Sequence, residues 1–391
     1  MSKEVIIVGG GIIGLCSAYY LQQSGHQVTI IDQSNMDAGA SYVNAGYLSP
    51  SHIIPLSAPG VMKKGLRWMF NPSSPLYIKP RLDKNFLNWV WAFNKSCNPR
   101  HVQKAAPIIR DICLKSQDLY RDILKEEGFK SQYEEKGLMM ICKTQKALDT
   151  EIRTAKLAGE LDLETKVLDS KGIEAIEPDV KIDALGAVFY KCDHHTTPGE
   201  FMEELKQKLL ENGVKILKNE KVLDLEISGE KVKKVITDKT TYGLDHLVSA
   251  KGAWTGEWNR KLGVNLLMEA GKGYRINSYK ENGITIPAIL AEAKAAVTPM
   301  HGFTRFAGTM EIAGINHKIN KIRVEAIAKA IQNYYPEVVP TEEEKANAAC
   351  GLRPVTPDGL PYIGNLSKYN NITVAAGHSM MGWSMATGTG L

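Results

Sequence analysis

One arginine stands in a stretch rich in residues that restrict the backbone. Residues 351–364 read GLRPVTPDGLPYIG, and Arg353 is followed directly by Pro354. Proline restricts the preceding residue to extended backbone, so we expect Arg353 to project in a fixed direction. A guanidinium offers a planar fork of N–H donors that matches a carboxylate. The motif therefore predicts an arginine that binds an anionic group, and an ion pair with a carboxylate of the protein itself is the alternative.

A second group with chemical meaning lies at the start of the chain. Gly9, Gly11 and Gly14 form the pattern G-x-G-x-x-G, and Asp32 follows them. In a dinucleotide-binding turn the glycines allow a tight bend, close approach of a pyrophosphate and close helix packing, and the acidic residue binds a ribose. The flanking apolar runs EVIIV and HQVTIID predict two buried strands with a helix between them. We therefore predict a dinucleotide site, with a phosphate-free turn as the alternative.

The segment after the second strand points to the kind of dinucleotide. Residues 38–50 read AGASYVNAGYLSP, in which Ser41 and Asn44 can donate hydrogen bonds while Gly39 and Gly46 leave room for a bulky ring. The sequence here resembles the D-amino acid oxidase superfamily of flavoproteins, in which such a segment runs along FAD. The resemblance implies FAD as the cofactor; on the residues alone, an ordinary polar loop is the alternative.

Further elements follow from hydrophobic patterning. The stretches VKILKNEKVLDLEIS and KVKKVITDKTTYGLDHLVSAKGAW alternate as strands do, and the second opens into Trp254 in a form that resembles the flavoprotein motif Ala-x-Gly-Ala-Trp. AGKGYRINSY and HGFTRFAGTMEIAG are typical of strands with bends at glycine, and KIRVEAIAKAIQNYYPEV of a helix that Pro336 stops.

The carboxyl-terminal part carries the most specific resemblance. GLRPVTPDGLPYIGN and the later AAGHSMMGW resemble the small subunit of D-amino acid dehydrogenase, with glycine oxidase as a near relative, and the resemblance spans the chain. It implies an α/β fold with an FAD-binding Rossmann-like domain and a substrate domain built on a mixed or antiparallel sheet. It also implies that Arg353 binds the substrate carboxylate. Tyr274 and Arg305 are further candidates for the catalytic site, with core packing and surface exposure as their respective alternatives.

The resemblance also implies how the chain is divided. We expect residues 1–60, 194–263 and 346–391 to form a discontinuous FAD-binding domain. Residues 61–193 and 264–345 would form the substrate-binding domain, including a basic, aromatic helical segment at 61–115.

The expected cofactor contacts come from the glycine turn, the segment after the second strand, the later strands and the carboxyl-terminal turn. They are Gly9, Gly11, Ile12, Ile13, Gly14, Asp32, Gln33, Ala40, Ser41, Asn44, Ala45, Gly46, Val222, Ala250, Gly252, Trp254, Gly377, His378, Met380, Met381 and Gly382. Met380 stands where glycine oxidase carries a second arginine. This difference favours an apolar or cyclic amino acid as substrate over a small, highly polar one.

The 61–115 segment concentrates positive charge. It holds eleven Lys or Arg residues against two acidic ones, a local surplus of +9, whereas the whole chain has a net charge of +5. Aromatic residues, including Trp68, Trp89 and Trp91, are interleaved with these charges. Such a segment can associate with a membrane surface; a solvated basic face over a helical core is the alternative. We expect no nucleic-acid partner, because no nucleic-acid fold pattern accompanies the charge.

Other residue types restrict the compartment and the kind of site. The six cysteines form no CxxC pair, which favours free thiols in a reducing compartment and therefore a cytoplasmic protein, placed at most on the inner face of the membrane. The apolar stretch Val5–Leu21 contains four glycines, which argues against a signal peptide or a membrane span. We expect no metal site: His194 and His195 are adjacent, so their side chains diverge, and we predict that they lie in a loop leading into a helix that begins at Pro198.

The resemblance as a whole implies an enzyme that removes hydride from the α-carbon of a D-amino acid or of a proline-like cyclic imino acid. Hydride would pass to flavin N5 and the electrons on to a quinone or another acceptor. The alternatives are a glycine- or sarcosine-type amine oxidase that uses oxygen, and a flavin-binding protein without turnover.

Overall fold

The structure is a computed structural model that describes residues 1–62 and 74–391. In these ranges the helices are Ile12–Gln23, Lys84–Ser96, Pro99–Glu127, Gln145–Gly159, Ser170–Ile176, Pro198–Glu211, Asn259–Leu262, Lys321–Tyr334, Glu342–Ala346 and Ala386–Gly390, with a 3-10 helix at Gly252–Trp258. The strands are β1 (Glu4–Val8), β2 (Gln27–Ile31), β3 (Tyr47–Leu48), β4 (Leu76–Ile78), β5 (Tyr133–Glu134), β6 (Leu138–Cys142), β7 (Thr165–Asp169), β8 (Gly186–Tyr190), β9 (His194–Thr196), β10 (Lys215–Leu217), β11 (Val222–Ser228), β12 (Lys231–Thr237), β13 (Thr241–Gly243), β14 (His246–Ser249), β15 (Glu269–Ser278), β16 (Ala288–Leu290), β17 (Ala295–Met300), β18 (Phe303–Ile312), β19 (Ala349–Val355), β20 (Tyr362–Asn365) and β21 (Ile372–Ala376).

A six-stranded sheet in the order β10-β2-β1-β14-β21-β20 holds the glycine turn. Its strands pair in parallel except at β20, which runs antiparallel to β21. Helix Ile12–Gln23 buries Leu15 and Tyr19 in one cluster with Ile7 of β1. Ile6 of the same strand belongs to a second cluster, with Val235 of the small sheet β11-β12-β13. Because β1 is apolar and buried from Val5 to Val8, both of its faces are covered there, and the predicted Rossmann-like unit is confirmed.

A larger sheet has the order β19-β15-β18-β17-β16-β6-β8-β7, with β4 beside β18. Strands β15 and β18 are antiparallel and ten residues long, and they cover the two stretches whose glycine bends predicted strands. The predicted helix Lys321–Tyr334 packs Ile327 and Ile331 into the cluster that contains Phe306 of β18. The α/β fold with a second, mostly antiparallel sheet is therefore confirmed.

The boundaries of the two domains remain a proposal, and one strand crosses them. Strand β19 pairs with β15 in the larger sheet, although residues 346–391 are otherwise grouped with the FAD-binding domain. Helix Pro99–Glu127 also departs from the partition, because Tyr120 and Ile123 lie in the core cluster of the glycine-turn helix. We therefore propose the partition with these two elements packed across it.

The paired histidines lie in a strand, so the predicted loop at this position is wrong. His194 and His195 form β9, which pairs with β3 and β5 and is buried. The hydroxyl of Tyr133 lies 2.8 Å from His194 Nδ1, and burial lowers the pKa of His195 to about 4. Neighbouring strands thus account for the burial of both rings. The helix predicted to begin at Pro198 is present.

The basic, aromatic segment is only partly described. Lys63, Lys64, Arg67, Trp68 and Phe70 lie in residues 63–73, outside the described ranges. The remainder contains β4, helix Lys84–Ser96 and the start of helix Pro99–Glu127. The C-cap of the latter helix is Gly128, with φ of 67°.

None of the helices in residues 1–62 and 74–391 has both the length and the apolar character needed to cross a bilayer.

Candidate active site

The glycine turn packs too tightly for side chains at two of its positions. Gly9 has φ of 111°, and a Cβ atom there would lie less than 3.0 Å from the carbonyl of Ala250. A Cβ atom on Gly14 would overlap the carbonyl oxygen of Gly9. The helix therefore starts directly against the turn, as a dinucleotide-binding fold requires.

The start of this helix is arranged to receive an anion. Its N-cap, Gly11, has no side chain to cap the helix, and the Gly11 and Ile13 amides make no hydrogen bond to any other residue of the described chain. The amide of Ile12 donates to Ser41 Oγ at 3.0 Å. Free N–H groups at the positive end of a helix dipole suit a pyrophosphate.

Asp32 is fixed at the end of β2 by the same turn. Its Oδ2 atom accepts a hydrogen bond from the amide of Gly10 at 2.7 Å, and its Oδ1 atom accepts from the amide of Ser34 at 2.8 Å. Oδ1 also accepts from the hydroxyl of Ser34 at 2.6 Å, so of the four lone-pair positions of the carboxylate one, on Oδ2, remains for a ribose hydroxyl.

A cavity with a volume of ≈ 890 Å³ extends from this turn to the larger sheet. Twenty of the residues predicted from the sequence line it: Gly9, Gly11, Ile12, Ile13, Asp32, Gln33, Ala40, Ser41, Asn44, Ala45, Val222, Ala250, Gly252, Trp254, Tyr274, Arg353, His378, Met380, Met381 and Gly382. Segments far apart in the sequence thus meet at one cavity.

Gly14, Gly46, Gly377 and Arg305 are absent from the cavity lining. The three glycines act through packing: Gly46 has φ of 76°, and a Cβ atom there would overlap the carbonyl of Thr196. Gly377 has φ of 86°, and its Cβ would lie 2.5 Å from Thr356 Cγ2.

The side chains after the second strand leave donors for a cofactor. Ser41 Oγ accepts from the helix, and Asn44 Oδ1 accepts from the amide of Gly46 at 2.8 Å. The hydroxyl hydrogen of Ser41 and the amide nitrogen of Asn44 therefore remain as donors. The fit of the cavity to FAD rests on these donors, the free helix amides and the glycines that tolerate no Cβ.

Arg353 lies on the sheet side of the cavity, on β19. Its guanidinium rests against Gly273 of β15, where a Cβ atom would overlap Nη1, Cζ and Nη2. Nη1 donates to the carbonyl of Thr309 at 3.0 Å. Among the described residues, no carboxylate forms an ion pair with Arg353. Burial lowers the pKa of its guanidinium to about 10, so the group remains a cation at neutral pH.

Thr309 supports Arg353 from an irregularity in β18. Between Lys272 and Tyr274 the β15–β18 register shifts, and Thr309 has φ of 59°, which is strained for a β-branched residue. Bulges of this kind often re-aim groups beside a functional site. Gly273 and Thr309 carried no signal in the sequence, because their role depends on strand register.

Tyr274 lines the cavity while its hydroxyl is committed elsewhere. The hydroxyl donates to Glu311 Oε2 at 2.8 Å, and burial raises the pKa of the phenol. Glu311 also pairs with Lys272 at 3.2 Å and with Arg323 at 3.3 Å. The tyrosine is thus a fixed wall of the cavity, since its one O–H donor is used by the protein.

Arg305 does not face the cavity, which corrects its assignment as a catalytic candidate. Its Nη1 atom donates to the carbonyls of Tyr42 and Asn44 at 2.8 and 2.7 Å, and its Nε atom donates to Asn277 Oδ1 at 3.0 Å. The surface alternative is wrong as well, because Arg305 is buried. The arginine holds the backbone of the segment that lines the cavity.

The carboxyl-terminal turn is joined to the strand that bears Arg353. The amide of Ser379 donates to the carbonyl of Pro354 at 2.9 Å, and His378 forms a bridge with Val355. Nε2 of His378 lies 3.0 Å from Thr389 Oγ1, and burial lowers the pKa of this imidazole to about 3. The ring is therefore neutral, and the turn and Arg353 form one rigid unit.

Comparison with known proteins identifies the architecture. A family profile described as FAD dependent oxidoreductase matches residues 4–391. The chain belongs to this family. This FAD-dependent oxidoreductase is 31% identical over 385 residues to a D-amino acid dehydrogenase of Helicobacter pylori. The aligned region covers 98% of this chain and 91% of the relative.

Two solved structures share the fold of this FAD-dependent oxidoreductase. Glycine oxidase from Bacillus cereus has a TM-score of 0.77 at 19% identity and covers 100% of this chain and 93% of its own. L-proline dehydrogenase from P. horikoshii has a TM-score of 0.75 at 19% identity, with coverage of 100% and 91%. The predicted family, fold class and FAD cofactor are thus confirmed.

Proposed function

We propose that this FAD-dependent oxidoreductase dehydrogenates the α-carbon of a D-amino acid or of a proline-like cyclic imino acid. The observation that carries the proposal is the partly buried guanidinium of Arg353, which faces the cofactor cavity and has no acidic partner in residues 1–62 and 74–391. A cation held in this way lacks its counter-ion. The carboxylate of an amino acid supplies one, in the geometry that a guanidinium binds best.

The protein's part in the reaction is to fix the substrate. Arg353 holds the carboxylate, Gly273 and Thr309 hold Arg353, and the wall that contains Tyr274 limits the tilt of the substrate. FAD, when bound, supplies the acceptor for a hydride from the α-carbon. Loss of this hydride from the α-carbon and of a proton from the nitrogen turns the substrate amine into an imine. Water hydrolyses an acyclic imine to a 2-oxo acid and ammonia, whereas the imine of a proline-like substrate stays cyclic. Positioning of this kind supplies much of the catalysis.

The lining of the cavity supports a side chain with apolar character. Met140, Ile289, Ala296 and Ala307 project from the larger sheet, and Met380 lies in the turn on the other side. None of these residues carries a charge, and the charged residues Glu151 and Lys294, which also line the cavity, pair with each other at 3.9 Å. A proline-like or aliphatic substrate therefore fits better than glycine or sarcosine, which define the alternative amine oxidase reaction.

Anaerobic addition of amino acids to the FAD-loaded enzyme tests the proposal. We expect D-proline or an aliphatic D-amino acid to bleach the flavin absorbance, while glycine and sarcosine act weakly. Bleaching by glycine or sarcosine alone would favour the oxidase, and bleaching by no member of the panel would leave a flavin-binding protein without this activity.

We further propose that the electrons pass to a quinone and that the protein is cytoplasmic but docks on the inner face of the membrane. Helix Lys84–Ser96 supports this: Leu87 and Trp91 are 51% and 68% exposed, four residues apart on one face. Lys95 Nζ lies 5.3 Å from the centre of the Trp91 ring. Apolar and aromatic side chains flanked by lysine suit an anionic lipid surface. Recovery of all protein in the supernatant after sedimentation with anionic liposomes at low salt would favour a solvated basic face instead.

A further inference from the structure

A second pocket lies behind the segment that lines the cofactor cavity. Its volume is ≈ 380 Å³, and Gly39, Tyr42 and Val43 line both this pocket and the larger cavity. Its other wall comes from β15 and β18, which contribute Arg275, Asn277, Phe303 and Arg305. Arg353 lines the larger cavity, whereas Arg275 and Arg305 line this pocket, so a ligand bound here is independent of the proposed substrate.

The two arginines of this pocket are neighbours on the sheet. Arg275 pairs with Ala307 across the β15–β18 ladder, and Arg305 pairs with Asn277, which lies two residues from Arg275. The two arginines are thus diagonal neighbours on one face of an antiparallel pair, a separation that long side chains bridge easily. Two cations so placed repel each other unless an anion lies between them.

Within the described part of the chain, the hydrogen bonds of Arg305 go to neutral acceptors. They are two backbone carbonyls of the segment and the side-chain oxygen of Asn277. Burial, and secondarily the charge of Arg275, lower the pKa of Arg305 to about 9. A buried cation that lacks a counter-ion is costly, which indicates that part of its natural environment is missing.

Arg275 is less satisfied still. Nη1 makes a long contact of 3.4 Å with the carbonyl of Asn347, and the buried Nε atom has no hydrogen-bond partner within the described chain. Burial lowers the pKa of this guanidinium too. Most of the donor capacity of this guanidinium is therefore unused by the described residues, and its terminal nitrogens can donate to an anion in the pocket.

The acidic groups at the rim do not neutralise the arginines. Glu200 accepts hydrogen bonds from the amide of Gln132 at 2.9 Å and pairs with His301 at 2.7 Å. Asp37 is exposed and accepts from Asn35 at 2.7 Å. Across residues 1–62 and 74–391, neither arginine forms an ion pair.

We propose that this pocket binds a small oxyanion, a carboxylate or a phosphate, between the guanidinium groups of Arg275 and Arg305. The anion accepts hydrogen bonds from the terminal Nη atoms of Arg275, of which Nη1 makes one contact of 3.4 Å with the protein, and it neutralises both cations. Because Arg305 also holds the carbonyls of Tyr42 and Asn44, the bound anion fixes the segment that carries Ser41 and Asn44 at the cofactor cavity. Occupancy of the pocket therefore slows the release of FAD.

Calorimetric titration of the FAD-loaded protein tests the site directly. Inorganic phosphate and acetate are added in separate experiments at constant ionic strength, with chloride as the reference anion. We expect saturable binding of at least one oxyanion. Tighter binding of phosphate would identify the ligand of the pocket as a phosphate, and tighter binding of acetate would identify it as a carboxylate. Binding should persist in Arg353→Gln, which removes the guanidinium that we propose binds the substrate carboxylate. The absence of saturable binding by both anions would overturn the proposal.

Substitutions locate the binding. Arg275→Gln should weaken it at least tenfold, because one of the two cations is lost. The fold should stay intact, since among the described residues this side chain makes one hydrogen bond, at 3.4 Å. Arg260→Gln, at an exposed position elsewhere, is the matched control and should bind as the wild type does. The bound oxyanion should also slow FAD release in the wild type and not in Arg275→Gln. Equal affinity in Arg275→Gln and the wild type would contradict the assignment.

Discussion

The guanidinium of Arg353 occupies the space that a side chain on Gly273 would fill. The two residues lie on neighbouring antiparallel strands, and a Cβ atom on Gly273 would overlap three atoms of the guanidinium. This glycine therefore sets how far Arg353 can fold back towards its strand, and hence where the cation faces the cavity.

Gly273→Ala tests this relationship without touching the arginine. The added methyl group should push the guanidinium out of place and raise the KM for the amino acid about tenfold or more, since a factor of ten costs only about 1.4 kcal/mol of binding free energy. Flavin content should be unchanged. Gly243→Ala is the control, because its Cβ would meet no atom within 4 Å. An unaltered KM in Gly273→Ala would mean that Arg353 does not bind substrate from this position.

Gly14→Ala tests the glycine turn. Its methyl group would overlap the carbonyl of Gly9, so the helix must move away from the turn and the pyrophosphate loses the amides at its start. We expect FAD binding to weaken by about tenfold or more, measured as the flavin-to-protein ratio after gel filtration. Gly159→Ala, at an open helix end, should keep its flavin. Full retention of flavin in Gly14→Ala would place the cofactor elsewhere.

Burial of the Asp193 carboxyl should make the stability of the folded protein depend on pH. This carboxyl is fully buried, accepts a hydrogen bond from the amide of Ser51 at 3.1 Å, and burial raises its pKa from 3.8 to about 7. The folded protein thus binds a proton more tightly than the unfolded chain. Its contribution to stability is therefore greatest at acidic pH and is lost as the pH rises from about 4 to about 7.

Asp193→Asn mimics the protonated acid and lacks this dependence. Relative to the wild type, the free energy of unfolding of the variant should rise by about 1.4 kcal/mol or more between pH 5 and pH 8, as measured by denaturant titration. Asp149→Asn, at an exposed position, should show no such change. A constant difference between Asp193→Asn and the wild type at both pH values would contradict the burial argument.

If the protein docks on a membrane, helix Lys84–Ser96 should carry part of the contact. Replacing Leu87 and Trp91 by glutamate should weaken binding to anionic liposomes about tenfold or more, because apolar contact is lost and two negative charges are added. Activity with a soluble acceptor should be unchanged. Leu223→Glu changes a leucine that is 58% exposed elsewhere on the surface, and it should bind liposomes nearly as the wild type does. Equal effects from both substitutions would indicate a general charge effect.

Local sequence patterns predicted most of the elements and much of the cavity lining. The glycine turn, β15, β18 and the helix that ends at Tyr334 follow from short-range signals, and Arg353 follows from its motif. What could not be predicted depends on pairing between distant segments. The contact between Arg353 and Gly273 depends on the register of β15 and β19, and the role of Thr309 on a single irregularity in β18.

The predictions for Arg305, His194 and His195 failed because they too depend on which strands pair. Arg305 was a candidate for the substrate site, yet pairing of β18 with β15 places it in the second pocket, with its guanidinium bonded to the backbone of the segment at 42–44. His194 and His195 lie in a strand because β3 and β5 pair with it on either side. Each of these partner strands is two residues long, too short to show the alternation of apolar and polar residues that predicts a strand.

The most direct test of the account compares Arg353→Gln with the wild type in anaerobic titrations of the flavin absorbance by the best D-amino or imino acid. A charge-assisted hydrogen bond to a carboxylate contributes roughly 1.5–3 kcal/mol. Arg353→Gln should therefore keep its full FAD content and need about ten to a hundred times more substrate for half-reduction. Half-reduction at the same substrate concentration in both proteins would contradict it.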